Sequence, residues 1–427
     1  MKVQLVLEPG HIVRVEGPLR ARVIYGQVLV LGAVFNAGDE FEVPQHRSYA
    51  VKALVESRID FEVGHGGIIE RPRFGEEVID TWVYSVDEAL RKDCRTFMVI
   101  GPVDVGKSSV TALIANRALL RGLRVGVVDA DVGQADVGPP ACVSAAEARR
   151  FVLWLRELRA EYMRFVGSIT PQRVERRIVA GVVELAAKLR SAGVDVIVVD
   201  TDGWIQGLNS LEYKAEMARY LAADIVYVVG DEKLYKIAKN MFGGQRCGVF
   251  YLPSPRVKHE RDREERRNLR SQAYRRYLEP LYERIIELDK VSIYGSCFFS
   301  GEILPENHAK MLQELLRVPV IAASETYDTV YVVTVGQPEP AGIEKAASVY
   351  QKQVYILDKN LVVNALVSLI GPDGEEKALA ILRDMDPRRM VAKLATPYTG
   401  EVKGLVLGGI RLSEDYEEAG RPLRCVI

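Results

Sequence analysis

The strongest constraint on the fold is a short segment that begins at Gly101. It reads Gly101-Pro102-Val103-Asp104-Val105-Gly106-Lys107-Ser108, with Ser109 next, and matches GxxxxGK[ST] at every fixed position. An apolar run precedes it at 97–100, and a helical pattern follows over 107–121. A strand, a glycine-containing loop and a helix in this order are typical of a phosphate-binding loop. The alternative, a chance match of a turn, is much weaker because both flanking elements are in place.

The residue types in this loop explain how it would hold a nucleotide. Glycines at 101 and 106 permit tight wrapping, so that backbone N–H groups face the anion and the next helix points its positive end at it. The Lys107 ammonium is placed to reach the β- and γ-phosphates, and the Ser108 hydroxyl is placed to ligate Mg²⁺. We therefore predict ATP and Mg²⁺ as cofactors, with residues 101–109 contacting the nucleotide.

Acidic residues cluster where the next strand is expected to end. The apolar run 124–128 leads into Asp129-Ala130-Asp131-Val132-Gly133-Gln134, so that two carboxylates lie on one side of an extended chain. If this strand is the neighbour of the loop strand, its acids face the Mg²⁺. A helix cap or a solvated turn is the alternative. Asp104, inside the loop, is repelled by a triphosphate, so it either faces water or turns toward Lys107 or an incoming group.

Changes in the strand and helix patterns along the chain predict three domains. At 427 residues it exceeds what one core usually supports, and two to four domains are expected. Strands and turn residues fill 1–91, which we interpret as an all-β sandwich. Residues 92–288 alternate apolar strands with helices, and 289–427 return to β texture. The predicted fold is α/β, with a central P-loop NTPase-type parallel sheet with helices on both faces, flanked by an N-terminal all-β domain and a C-terminal mostly-β domain.

Composition narrows the function classes. The 57 basic and 58 acidic residues give a net charge of −1, which excludes nucleic-acid binding through a globally basic surface but not through a local stripe. The five cysteines form no CxxC pair, so neither a zinc site nor a disulfide framework is expected. No apolar run reaches the roughly 18–20 residues that span a bilayer. Glu8 and Pro9 come too early for a signal peptide, so we expect a cytoplasmic protein without membrane contact.

A local basic stripe lies at 256–276. It holds nine Lys or Arg against four acids. Arg266 and Arg270 are one helical turn apart, and guanidinium groups suit phosphate oxygens and can act as arginine fingers. On charge alone, a solvated helix in which Glu264 and Glu265 pair with neighbouring arginines is favoured. The position of the stripe after the predicted nucleotide-binding sheet favours a role in phosphate chemistry instead.

Several of these segments together resemble the eukaryotic and archaeal 5′-hydroxyl polynucleotide kinases. The matching residues are the loop 101–109, then Asp131-Val132-Gly133-Gln134 and Pro139-Pro140. An aspartate inside the loop is part of the family pattern, which favours a functional role for Asp104. The order of β domain, kinase domain and β-rich domain is also that of the family, so the resemblance spans most of the chain.

The resemblance also implies substrate contacts. Gly167-Ser168-Ile169-Thr170-Pro171-Gln172 resembles the family's clasp for the substrate nucleotide, and Thr201-Asp202-Gly203-Trp204 resembles its TxGW motif. An indole at a strand end also suits stacking on a base, with a core tryptophan as the alternative. The family's arginine lid, which closes over the transferring phosphate, corresponds to Arg261, Arg266, Arg267 and Arg270. That lid usually opens Arg-Ser, whereas here Asp262 follows Arg261.

The resemblance thus predicts ATP-dependent phosphoryl transfer to the 5′-hydroxyl of a polynucleotide. The predicted catalytic residues are Lys107, Asp131, Arg261, Arg266 and Arg270, with Asp131 deprotonating the hydroxyl. The predicted substrate contacts are Asp104, Gln134, Thr170, Pro171, Gln172, Trp204 and Arg267. The predicted metal ligands are Ser108, Asp129 and Asp131.

The predicted substrate is nucleic acid with an exposed 5′-hydroxyl. RNA is favoured and DNA is a second candidate, in RNA processing such as tRNA splicing and with RNA-processing proteins as partners. Two alternatives stay open, a nucleotide-bound scaffold that transfers nothing and a P-loop ATPase or GTPase switch. The GTPase form is the weaker one, since no Asn-Lys-x-Asp signature is present.

Overall fold

The computed structural model describes residues 1–73, 75–242, 248–256 and 262–420, so the predicted lid residue Arg261 lies outside the described residues. The chain divides into two units. The first comprises Met1–Gly138, Val143–Met163 and Pro171–Arg266, and the second comprises Pro139–Cys142, Arg164–Thr170 and the chain from Arg267 onward. The domain boundaries after residues 91 and 288 stay predictions.

Two antiparallel sheets form the predicted sandwich at the start of the chain. Their strands are β1 (Lys2–Leu7), β2 (Ile12–Glu16), β3 (Leu19–Tyr25), β4 (Gln27–Val30), β5 (Ala33–Asn36), β6 (Glu40–Val43), β7 (Ser48–Ala53), β8 (Ser57–Val63) and β9 (Ile68–Glu70). They run in the orders β1-β8-β3-β6 and β5-β4-β7-β2-β9. Burial alternates along β3, as expected of a strand with one face on a core. Phe61 of one sheet and Val51 of the other share that core.

A helix, α1 (Ile79–Arg91), follows the sandwich within the stretch predicted to be all β. The all-β interpretation is therefore wrong for these residues. Its buried side chains are Ile79, Trp82, Val86, Ala89 and Leu90, which have the three-to-four-residue spacing of an amphipathic helix. They share a core with Phe97 and Val99 of the strand that precedes the glycine-containing loop. The sequence therefore carried the signal for this helix.

The central part of the chain alternates strands and helices. Its elements are β10 (Thr96–Ile100), α2 (Lys107–Leu119), β11 (Val125–Asp129), β12 (Cys142–Ala148), β13 (Tyr162–Phe165), α3 (Glu175–Ser191), β14 (Val196–Asp200), α4 (Leu208–Leu221), β15 (Ile225–Val229), α5 (Glu232–Phe242), β16 (Gly248–Leu252) and α6 (Arg263–Leu278). The strand order is β13-β12-β11-β14-β10-β15-β16. The strands from β11 to β16 in that order pair in parallel, whereas β12 is antiparallel to β11, so the sheet is mixed.

This strand order corrects one step of the sequence analysis. The strand beside the loop strand β10 is β14 on one side and β15 on the other. The strand β11, which ends at Asp129, lies beyond β14, with Val128 paired to Val199. The acid at the end of the neighbouring strand is therefore Asp200.

Helices cover both faces of this sheet, as predicted. On one face, Phe97 and Val99 of β10 share a core with Val110 and Leu113 of α2. The opposite face receives α3, since a Cβ added to Gly126 of β11 would lie 2.6 Å from Leu189. Successive strand residues point to opposite faces, so continuous apolar strands such as β10 are buried on both.

The second unit contains the β-rich elements of the C-terminal part of the chain, of which the first strand precedes the predicted domain start at residue 289. They are β17 (Tyr282–Glu287), β18 (Ser292–Tyr294), β19 (Glu302–Ile303), α7 (Glu306–Leu316), β20 (Val320–Glu325), β21 (Thr329–Thr334), α8 (Pro340–Tyr350), β22 (Gln353–Asp358), α9 (Lys359–Val362), β23 (Ala365–Ile370), β24 (Glu376–Asp386), β25 (Val391–Thr396) and β26 (Gly404–Arg411). They form sheets in the orders β17-β25-β24-β23-β26-β18 and β19-β20-β21-β22. Leu312 of α7 and Ala346 of α8 are buried against Val332 of the second sheet.

Cysteine pairing differs from the sequence expectation. Cys297 is disulfide-bonded, whereas Cys94 and Cys142 are free. Within the described part of the chain, every helix is too short or too polar to cross a bilayer.

Candidate active site

The phosphate-binding loop connects β10 to α2, as its pattern predicts. Gly106 has φ +101°, a left-handed conformation that glycine adopts most easily, and a Cβ there would lie 3.2 Å from the Trp82 ring. Lys107 begins α2, so the first-turn N–H groups face the loop. Its side chain is only 7% exposed, and Nζ donates to the Pro102 carbonyl at 2.7 Å. The loop is therefore a cradle for an anion with the ammonium held inside it.

Asp104 forms an ion pair with an arginine. Its Oδ2 accepts a hydrogen bond from Arg266 Nη2 at 2.5 Å. Arg266 lies in the first turn of α6, in the predicted lid segment. The orientation of Asp104 toward an incoming group stays a prediction. The loop acid and a lid arginine thus form one ion pair beside the nucleotide cradle.

Asp129 is held by the backbone around it. Its Oδ1 accepts from the N–H of Asp131 at 3.0 Å, and its Oδ2 accepts from the N–H groups of Asp136 and Val137 at 2.7 and 2.9 Å. The residue is 2% exposed. Because both oxygens already bind backbone donors, the geometry favours a loop-shaping role. The metal-binding role of Asp129 stays a prediction.

Asp131 is more open and lies in the same cavity as the loop. Its Oδ1 accepts from the N–H groups of Gly133 and Gln134 at 3.0 and 2.9 Å. No hydrogen bond to its Oδ2 is described within residues 1–73, 75–242, 248–256 and 262–420. Gln134 directs its Nε2 to the Gly133 carbonyl at 2.9 Å, and its buried Oε1 has no described partner. Asp131 therefore keeps an oxygen that can act on a substrate.

Asp200 is a site residue that the sequence analysis missed. It ends β14, beside the loop strand, and is 3% exposed. The predicted metal ligand Ser108 lies close enough to lower the pKa of this carboxyl group, and the Asp200 Oδ1 is buried without a described partner. A buried carboxylate oxygen is costly unless it is hydrogen-bonded, protonated or bound to a cation. The signal available in the sequence was the apolar run 194–199 that leads into this acid.

The buried acids perturb one another. Burial raises the pKa of Asp200 to about 7, while the Lys107 ammonium opposes the rise. Burial also raises the pKa of Asp129 well above its ordinary value, and the Asp200 carboxylate adds to that rise. Burial and then Asp202 raise the pKa of Asp131, and Lys107 again opposes. A divalent cation among these carboxylates would relieve the repulsion.

The TxGW segment lies directly on the phosphate-binding loop. A Cβ added to Gly203 would lie 2.9 Å from the backbone nitrogen of Val103, so only glycine fits this approach. The Trp204 backbone N–H donates to Asp202 Oδ1 at 2.7 Å. The indole is partly exposed and stacks on Tyr213, with centroids 5.8 Å apart and planes at 24°. Trp204 is therefore not the buried core residue of the alternative interpretation.

A cavity of about 160 Å³ opens over this cradle. Loop residues 103–109 line one side, together with Asp131, Gln134 and Gly203. The sandwich lines the other side through residues that include Arg14 and Tyr49.

Two predicted lid arginines form ion pairs with glutamates of the second unit. Arg270 forms a bidentate pair with Glu418, with distances of 2.7 and 3.0 Å. Arg267 lies 2.5 Å from Glu417. Arg266 therefore differs from both, since its described partner is the loop acid. The catalytic role of Arg270 and the substrate role of Arg267 stay predictions.

The predicted clasp residues form a turn whose residues differ in exposure. Ser168 Oγ donates to the Thr170 carbonyl at 2.8 Å and accepts from its N–H at 3.1 Å, which fixes a tight turn. Thr170 and Gln172 are exposed, and Pro171 is buried. Their role in holding a substrate nucleotide stays a prediction.

Comparison with known proteins agrees with this site. The family model for the P-loop of the mRNA cleavage and polyadenylation factor CLP1 matches residues 101–280. A solved Clp1p–Pcf11p complex has the same fold as this chain, with a TM-score of 0.62 over 96% of this chain and 98% of that one, at 14% identity.

Two archaeal relatives cover most of the chain. The polyribonucleotide 5′-hydroxyl-kinase of Methanocaldococcus jannaschii is 27% identical over 76% of this chain and 88% of its own length. That of Pyrococcus abyssi is 30% identical over 78% of this chain and 92% of its own length. The chain therefore belongs to the family of polyribonucleotide 5′-hydroxyl-kinases that carry the CLP1 P-loop domain.

Proposed function

We propose that this chain transfers the γ-phosphate of ATP to the 5′-hydroxyl end of RNA. The observation that carries the proposal is that the phosphate-binding loop and Asp131 line one cavity, while Arg266 pairs with Asp104 of that loop. Phosphoryl transfer needs a cradle for the donor, a base for the hydroxyl and positive charge at the transferring group. The names of the archaeal relatives support RNA as the acceptor.

The donor side is built by the loop and the start of α2. Loop N–H groups and Lys107 hold the β- and γ-phosphates, which requires the ammonium to leave the Pro102 carbonyl for the anion. Arg266 lies beside Asp104 and supplies a guanidinium to the charge that develops on the transferring group. Catalysis by these residues is positioning and electrostatic stabilisation.

The donor set at the loop also fits Mg²⁺. This ion is usually held by one or two carboxylates together with substrate phosphates and waters. Ser108 provides a hydroxyl, and Asp200 provides a buried carboxylate oxygen without a described partner. The two residues lie close enough for Ser108 to lower the pKa of Asp200. We propose these two as ligands, with Asp131 close by and Asp129 shaping the loop. Bound there, the ion would neutralise charge on the β- and γ-phosphate oxygens.

On the acceptor side, Asp131 takes the proton from the attacking hydroxyl. Burial and Asp202 raise its pKa, which makes it a better base than an exposed aspartate. Trp204 offers an indole face for stacking on a terminal base. Gln134, in the same cavity, is placed to orient the terminal nucleotide.

The cellular setting is part of the proposal. A role in RNA processing such as tRNA splicing, a cytoplasmic location and RNA-processing protein partners follow from the family resemblance. The Clp1p–Pcf11p complex supports the idea that this fold assembles with other proteins. DNA ends are a second candidate substrate, and matched oligonucleotides distinguish the two.

The test is transfer of labelled phosphate from ATP to matched RNA and DNA oligonucleotides that carry a 5′-hydroxyl, with Mg²⁺. We expect labelled RNA, and loss of label with Lys107→Ala but not with Lys233→Ala, an exposed lysine of α5. ATP binding without transfer would instead identify a scaffold. Hydrolysis that proceeds equally without oligonucleotide would identify an ATPase switch.

A further inference from the structure

A buried lysine supports the segment that carries Trp204. Lys214, on α4, is 0% exposed, although lysine is almost never fully buried unless it is paired. Its Nζ donates to the Asp202 carbonyl at 3.0 Å, to Asp202 Oδ1 at 3.2 Å and to the Trp204 carbonyl at 2.7 Å. An ammonium has three N–H donors, and here all three bind residues of one short loop.

Both carboxylate oxygens of Asp202, the partner of Lys214, also accept hydrogen bonds. Asp202 Oδ2 accepts a hydrogen bond from the Tyr213 hydroxyl, and Oδ1 accepts from the Trp204 N–H as well as from Lys214. The Tyr213 ring stacks under the Trp204 indole and lies 5.5 Å from the Lys214 ammonium. Two neighbours on α4 therefore hold both the backbone and the ring of Trp204.

This network is tied to the nucleotide cradle. Gly203, between Asp202 and Trp204, approaches Val103 of the loop too closely for any side chain. Burial lowers the pKa of Lys214, and Asp202 is the main group that opposes this fall. A buried pair of this kind need not add stability over a well-packed apolar pair. Its specific contribution is to fix one geometry of the loop.

We propose that Lys214 is a positioning residue for the polynucleotide acceptor, because it holds Trp204 in the orientation that receives the terminal nucleotide. This inference rests on the proposed kinase function. Lys214 touches neither substrate and acts through Trp204. Its loss should therefore weaken the acceptor complex much more than the ATP complex.

The experiment compares Lys214→Met with wild type and with the control Lys233→Met. We expect the KM for the RNA oligonucleotide to rise at least tenfold, while the KM for ATP stays within about threefold, since a lost pair of buried contacts amounts to one or more factors of ten. Lys214→Arg keeps the charge and should recover part of the acceptor affinity. An unchanged RNA KM in Lys214→Met, at a temperature where it is folded, would overturn the proposal.

A second variant separates positioning from stability. Asp202→Asn with Lys214→Met leaves no unpaired buried charge, so its Tm should recover toward wild type. The Trp204 carbonyl still lacks its donor, and the RNA KM should stay high. Recovery of both Tm and RNA KM would reduce Lys214 to a purely structural role.

Direct binding keeps the test independent of turnover. Fluorescence anisotropy of a labelled RNA oligonucleotide measures acceptor affinity without catalysis. If wild type binds RNA but transfers no phosphate, the proposed kinase function fails, while a tenfold weaker binding by Lys214→Met still supports the positioning role. Equal RNA binding by the wild type and this variant contradicts the positioning role in either case.

Discussion

The Arg266 guanidinium donates to the Asp104 carboxylate at 2.5 Å, which joins the first turn of α6 to the phosphate-binding loop. Both side chains are partly buried, at 30% and 18% exposure. An acid inside the loop would repel a triphosphate if it stood alone. The arginine offsets that charge, and under the proposed function it also places a planar donor beside the loop that would hold the transferring phosphate.

Arg266→Ala should therefore lower kcat by about 10³-fold, the lower end of what arginine fingers contribute. The KM for ATP should change little, since loop amides and Lys107 remain. Asp104→Asn should have a smaller effect, because it keeps the arginine and loses only the charge that holds it. Steady-state transfer assays measure both, with Arg219→Ala, an exposed arginine of α4, as the control. Near-normal turnover by Arg266→Ala would contradict a role of Arg266 in phosphoryl transfer.

Asp200 and Asp129 should respond differently to loss of charge. Asp200→Asn should raise the Mg²⁺ concentration for half-maximal activity about tenfold or more, because it removes a proposed metal ligand. Asp129→Asn should instead lower the free energy of unfolding by roughly 1–3 kcal/mol, since its oxygens bind three backbone N–H groups. Mg²⁺ titration of activity and urea unfolding separate the effects. If Asp129→Asn raised the Mg²⁺ requirement and Asp200→Asn only lowered stability, Asp129 would be the metal ligand instead.

The pKa of Asp200 gives the ligand-free protein a pH-dependent stability. Its folded-state pKa of about 7 lies above the ordinary value of 3.8. Between these values the folded state holds the proton and the unfolded state does not, so the free energy of unfolding falls as pH rises from about 4 to about 7 and then levels. Asp200→Asn cannot titrate and should flatten this fall. Urea unfolding of both proteins across that range measures the difference.

Activity should depend on pH in the opposite sense. The carboxylate form of Asp200 is the one that can bind Mg²⁺, and the deprotonated form of Asp131 is the one that can accept a proton. We expect kcat/KM of the wild type to rise with pH up to about 7 and then reach a plateau, because this ratio reports the free enzyme. Saturating Mg²⁺ should move the midpoint to lower pH. A profile that is flat from pH 5 to 8, roughly one unit or more on each side of neutrality, would contradict an essential acid with this pKa.

The phosphate-binding loop could be predicted because its residues are contiguous. The glycine spacing and the flanking patterns are local, so they place Lys107 and Ser108 without knowledge of the rest of the fold. The helix α1 was also within reach, since Ile79, Trp82 and Val86 have helical spacing. The all-β prediction is wrong for these residues because it extended the strand pattern of the preceding segments to them.

Asp200 and Lys214 could not be predicted in the same way. Nothing local indicates that β14 inserts between β10 and β11, because strand order is a property of the whole sheet. A lysine in an amphipathic helix is normally exposed, and only the fold shows that Lys214 meets the loop of Trp204. Both residues depend on contacts between segments that are distant in the sequence.

The pairing of Arg270 with Glu418 predicts a stability role that can be measured. The two side chains are 16% and 17% exposed and form two hydrogen bonds. Arg270→Ala and Glu418→Ala should each destabilise the protein, and the double variant should cost less than their sum, with a coupling of about 1–3 kcal/mol. Urea unfolding measures this cycle, and transfer should fall far less than in Arg266→Ala. A different outcome would contradict this stability role: Arg270→Ala abolishes transfer, Glu418→Ala does not, and both variants unfold like the wild type. Arg270 would then separate from Glu418 and act in the lid.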